Sequence, residues 1–146
     1  MRTSFVKREE CPAEWFLVDA DGLTLGRLAS RVAYVLMGKG KPGFSRHQDV
    51  GDHVVVVNAE KVRVTGTKAE TKTYFRHTGY PGGGKYTSLR ELMTQEPEEV
   101  LKHAVKGMLP HTKLGKQMFR KLHVYRGPEH PHVAQSPKPW SPGKLM

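Results

Sequence analysis

The apolar positions switch between a short-run pattern and a helical period. Residues 15–20, WFLVDA, form a short apolar run after a polar lead-in and predict a buried strand. Gly22 turns the chain. Leu25, Leu28, Ala29, Val32, Val35 and Leu36 then recur at helical spacing, with Thr24 as the expected N-cap and Gly38 as the stop. Arg27, Arg31 and Tyr34 fall together on the face away from that stripe. The run 53–58, HVVVVN, does not alternate, so both its faces are expected to be covered, as in a central strand of a mostly parallel sheet.

Downstream, residues 60–64 leave room for another short element, and Thr65-Gly66 is a turn. Residues 72–77 read as an edge strand or extended arm, and residues 81–84, PGGG, as a flexible loop. Residues 88–94 and 97–106 predict two helices, the second opening with Pro97, Glu98 and Glu99. Val105, Met108 and Leu109 should end it against the core, with Pro110 stopping it. Residues 114–121 predict a short basic helix pinned by Leu114, Met118 and Phe119, and residues 122–125 a strand. Strands alternating with helices argue for a layered α/β domain. From Gly127 onward prolines dominate. That tail is expected to stay out of sheet and helix and to lie extended. The expected organisation is a polar lead-in over 1–14, a domain over 15–126 and a Pro-rich tail over 127–146.

Charge changes the picture. Twenty-four Lys and Arg stand against fourteen Asp and Glu, a net +10 over 146 residues. Such a chain attracts polyanions, nucleic acid or an acidic membrane surface. The distribution is sharper than the total. No acid lies between Asp21 and Asp49, where Arg27, Arg31, Lys39, Lys41 and Arg46 stand. None lies between Glu99 and Glu129, where Lys102, Lys106, Lys113, Lys116, Arg120, Lys121 and Arg126 are joined by His103, His111 and His123. A solvated helix mixes its charge signs. Stretches that do not mix them point to countercharge from outside, and a phosphate backbone supplies it.

Candidates for other chemistry are weaker. Residues 79–85 match GxxxxGK, but Tyr86 stands where a nucleotide-binding loop needs Ser or Thr for magnesium, and the strand before it looks only half-buried. A basic Gly-rich loop laying backbone amides and Lys85 against phosphates explains the same residues. His130 and His132 lack further ligands at metal-binding spacing. Asp49 and Asp52 around Gly51 are expected to bond the backbone of a turn. The single Cys11 excludes an internal disulfide. No nucleophile context, signal peptide or membrane-spanning run is visible, so a cytoplasmic address is expected, with no cofactor, metal, membrane or small-molecule substrate.

The block VKGMLP, four residues, GK, five residues, LHVYRG (105–127) resembles the signature of the bacterial large-subunit ribosomal protein thirteen family. WFLVDADGLTLGRLAS at 15–30, DVGDHVVVVNAEKVRVTGTK at 49–68, YFRHTGYPGG at 74–83 and EHPHVAQ at 129–135 agree in order. Members commonly carry a bulkier residue where this chain has Gly84. The resemblance implies a three-layer α/β/α single domain around a short, mainly parallel sheet. It also implies a non-catalytic protein that binds 23S ribosomal RNA early in large-subunit assembly, beside neighbouring large-subunit ribosomal proteins. Charge distribution and motif together nominate as RNA contacts Arg27, Arg31, Lys39, Lys41, Arg46, Lys68, Lys72, Arg76, His77, Lys85, Lys106, Lys113, Lys116, Arg120, Lys121 and Arg126. Two other readings stay open: a general basic nucleic-acid-binding protein, and a nucleotide-binding enzyme using the 79–85 loop.

Overall fold

A computed structural model describes residues 6–143. In chain order it runs β1 (Trp15–Asp19), α1 (Leu25–Met37), β2 (His53–Val57), α2 (Lys68–Thr71), β3 (Thr73–His77), β4 (Gly84–Ser88), α3 (Leu89–Gln95), α4 (Pro97–Met108), α5 (Lys113–Phe119), β5 (Leu122–Val124) and β6 (Lys138–Pro139). Four strands form a parallel sheet in the order β5-β2-β1-β6, flanked by helices, and β3 pairs antiparallel with β4 in a separate hairpin.

The period-2 geometry of the strands sorts their residues onto two faces. Phe16 and Val18, Val54 and Val56, and Leu122 and Val124 join Leu28, Val32 and Leu36 of α1, Leu89 of α3, Val100, Leu101 and Val105 of α4 and Met118 of α5 in one buried cluster. The unbroken valine run of β2 fits its interior place, since Val54, Val55 and Val56 are fully buried. The other face carries Trp15, His53 and His123. The Trp15 and His53 rings stack 4.2 Å apart, and His132 from the C-terminal segment lies 4.5 Å from His123.

Local signals explain the element ends. Gly38 caps α1 with φ +75°, and a Cβ there would stand 2.9 Å from the Gly51 nitrogen. Thr24 occupies the N-cap of α1 without a side-chain cap bond, so the stripe rather than the cap carries that helix. Ser88 and Glu91 form a reciprocal capping box on α3. Asn58 takes the left-handed conformation (φ 57°) after β2, and its Nδ2 donates to Asp19 Oδ1 at 2.8 Å. That bond, then the Asp21 backbone N–H, holds the Asp19 carboxyl below its ordinary range.

Three expectations are corrected. The C-terminal segment does join the sheet: Lys138–Pro139 pairs parallel with Phe16 and Leu17, and the Trp140 N–H donates to the Leu17 carbonyl at 2.8 Å. Proline is tolerated there because β6 is an edge strand, where a missing N–H faces outward. Met108 ends α4 exposed, while Val105 and Leu109 are buried as expected. Residues 78–83 are a tight hairpin turn, closed by Thr78 N–H to the Gly83 carbonyl (3.1 Å) and Gly83 N–H to the Tyr80 carbonyl (2.9 Å).

Candidate nucleic-acid interface

Helix α1 turns its polar face outward because its apolar stripe is spent on the core. Arg27 is exposed and Arg31 half-buried. With Ser30, Tyr34, Thr24 and the chain at Pro142 and Gly143 they line an open cleft of about 770 Å³. Arg31 and Tyr34 also border a neighbouring pocket of about 230 Å³ walled by Trp140. The cleft and the pocket thus share one cationic wall, at Arg31. Lys39 and Arg46 are exposed beyond the helix.

Helix α5 presents a second basic face. Thr112 Oγ1 accepts the Gly115 N–H at 3.3 Å, and a Cβ at Gly115 would lie 1.8 Å from the Pro110 carbonyl oxygen. Only glycine lets the helix start so close to the preceding turn. Gly115 and Met118 face inward, with Leu114 and Phe119 partly buried against the core. Lys113, Lys116 and Arg120 are left exposed, and Lys106 is exposed on α4.

Lys121 departs from this pattern. It is buried, with Nζ donating to the Gly51 carbonyl at 2.9 Å and pairing with Asp49. The cause is sequence-local: α5 ends at Phe119, so Lys121 lies between the helix and β5, and its amine reaches the loop before β2. Lys41 is likewise engaged within the chain. Its Nζ donates to Asp52 Oδ1 at 2.6 Å and to the Pro12 carbonyl at 3.0 Å. Asp49 therefore anchors a lysine 72 residues away and Asp52 one 11 residues away in the same connection, correcting the expectation of simple turn-bonding carboxylates. Asp52 also accepts the Glu14 N–H at 2.8 Å. Arg126 is exposed and paired with Glu60 at 3.2 Å.

Lys68 and Lys72 border a third cleft, of about 560 Å³, with Arg63, His103 and the N-terminal end of α1. Sequence reasoning passed over Arg63. Its signal was the alternation of 61–64, where Val62 is buried and Val64 packs on the core while Lys61 and Arg63 are exposed. Arg76, His77 and Lys85 are exposed on the β3–β4 hairpin. That hairpin overturns the nucleotide-loop alternative. The strand before the glycines is mostly exposed, and the glycines lead into a second strand rather than into a helix whose N-terminus would hold phosphate.

The sheet face that carries Trp15, His53 and His123 is aromatic. Tyr125 Oη and His132 Nε2 lie 2.7 Å apart, and Trp15 stacks on both His53 and His123. Burial, then the positive charge of Lys121, holds His53 below its ordinary value, and burial with the neighbouring histidines does the same for His123. Among the described residues no group of three or more His, Cys, Asp or Glu is placed to hold a metal ion, and no helix is long and apolar enough to cross a membrane.

Basic surfaces on α1, α5, the cleft beside Arg63 and the β3–β4 hairpin accompany a specific likeness to known proteins. Residues 13–131 match the family described as Ribosomal protein L13. The "Large ribosomal subunit protein uL13" of Symbiobacterium thermophilum is 55% identical over 138 residues, 94% of this chain and 96% of its own length. The protein of that name from Desulfitobacterium hafniense strain Y51 is 54% identical, covering 97% of this chain and 99% of its own. That of Prochlorococcus marinus strain MIT 9303 is 56% identical, covering 94% and 91%. With the match spanning most of the domain and relatives aligned almost end to end, the chain belongs to the ribosomal protein L13 family.

Proposed function

We propose that this chain is a structural, non-catalytic constituent of the cytoplasmic large ribosomal subunit that binds 23S ribosomal RNA, touches neighbouring ribosomal proteins, and fixes converging RNA segments early in assembly. Family membership and the name shared by its relatives support the place in the large subunit. The observation that carries the RNA reading is the exposure of Arg27, Lys39, Arg46, Lys106, Lys113, Lys116 and Arg120 on two stretches without a single acid. Self-repulsion of that kind costs stability unless phosphates offset it. Arg supplies bidentate phosphate contacts and Lys more diffuse ones. Lys41 and Lys121 act indirectly, holding the frame on which the contacts stand. Because RNA helices are read largely by shape, backbone and 2′-hydroxyl, little base-edge discrimination is expected on these faces.

Sedimentation of the tagged native chain through a sucrose gradient at high salt tests the proposal. Migration with the large subunit is expected. A soluble pool at the top of the gradient would overturn it, and equal affinity for duplex DNA and ribosomal RNA at physiological salt would favour a general nucleic-acid binder instead.

A further inference from the structure

We propose that the β3–β4 hairpin is a stacking platform for unpaired bases of a single-stranded RNA segment, on the ring face made by Phe75, Tyr86 and His77. The proposal deepens the RNA-binding reading and rests on it. Phe75 and Tyr86 are cross-strand partners with ring centroids 4.8 Å apart, and His77 lies 6.2 Å from Phe75 on the same face. Phe75 is 58% exposed and Tyr86 74%. These water-exposed rings are held side by side by a strand pair, and among the described residues neither packs on the hydrophobic core. Tyr74, one residue away and on the opposite face, packs on the core instead, so the hairpin is anchored from behind while its ring face looks outward.

Gly84 helps keep that face open. A Cβ there would meet Phe75 Cε2 at 3.3 Å, so a side chain at this position would lie over the ring edge.

Charge chooses the partner. Between Glu70 and Glu91 there is no acid, while Lys72, Arg76, Lys85 and Arg90 stand there. Arg76 and Lys85 are directly opposite each other, on the strand face behind the rings. An open ring face backed by an acid-free cationic stretch combines the two attractions that hold single strands, because every base has a π-face and every linkage a phosphate. A protein partner docking on apolar area alone would gain nothing from that unbroken positive field.

The test uses the full chain and purified 23S ribosomal RNA, with affinity measured across a salt series and ultraviolet cross-links mapped to peptides. Phe75→Leu with Tyr86→Leu keeps apolar area and removes both rings. It is expected to lower affinity about tenfold with the salt slope unchanged. Tyr86→Phe should bind as the parent does, and cross-links should join unpaired bases to the Phe75 or Tyr86 peptide. Both side chains are exposed, and an unchanged circular dichroism spectrum and melting temperature verify that folding is intact. If the parent binds the RNA and the double leucine variant binds it equally well, the platform is overturned while the RNA reading stands. If the parent does not bind, the RNA reading itself fails and the platform with it.

Discussion

Lys121 and Asp49, 72 residues apart in sequence, meet as a buried ion pair beside the Gly51 carbonyl. The pair ties the entry of β5 to the loop before β2. A Cβ at Gly51 would stand 1.8 Å from the Leu36 carbonyl oxygen and 3.0 Å from Lys121 Nζ, so the glycine is what lets the three segments close. Lys121→Met leaves Asp49 buried without its cation and should destabilise the fold by about 3 kcal/mol. Urea unfolding measures this. The salt slope of RNA binding, taken under conditions where the variant is folded, should stay at the parental value.

Lys116→Gln with Arg120→Gln removes two exposed cations from α5 and should leave stability within about 0.5 kcal/mol of the parent. Affinity for ribosomal RNA should fall, and the dependence of log K on log salt should flatten by about 1 to 2. An unchanged slope would take α5 out of the interface.

His53 and His123 are held below the ordinary histidine value of 6.5, so protonation is easier in the unfolded chain than in the folded one. Below that ordinary value the unfolded state binds more protons, and folding stability should decline as pH falls through 6.5 toward the depressed folded values. Melting temperatures across this range should drop on the acid side. His53→Gln with His123→Gln should flatten the dependence. A profile equally steep in the double variant would assign it to other groups.

Trp140 packs its ring 6.3 Å from Phe16 and leaves its buried Nε1 without a hydrogen-bond partner. Trp140→Ala should cost about 2 kcal/mol by uncovering the Phe16 side of the sheet. Trp140→Phe keeps most of the area and removes the unsatisfied donor, so its cost should stay below about 1 kcal/mol. Thermal unfolding of the pair separates packing from the indole N–H.

Elements with strong periodicity are legible in the sequence. Helix α1 and strand β2 stand where the apolar stripe and the valine run put them, because burial on one face or two is written in those residues alone. The burial of Lys121 is not legible, because its partners, Asp49 and Gly51, are distant in sequence, and a lysine two residues past a basic helix looks like part of it. The pairing of β6 is hidden for a related reason: proline lowers strand propensity, and edge position is a tertiary fact. Exposed cations on α1 and α5 are readable as acid-free stretches. The clefts that group Arg63 with Lys72, or Arg31 with Trp140, depend on how helices and chain ends meet.

Glu14 and Lys138 close an ion pair at 3.1 Å across 124 residues, next to the register that lays β6 along β1. A chain made from its N-terminus therefore holds β1 with one edge open until residues 138–139 have been synthesised. An open edge is a template for pairing with other chains. Contacts this far apart in sequence also form slowly. The Lys138–Pro139 segment is thus a late closing element: it replaces the five-residue edge of β1 by a two-residue edge that carries a proline.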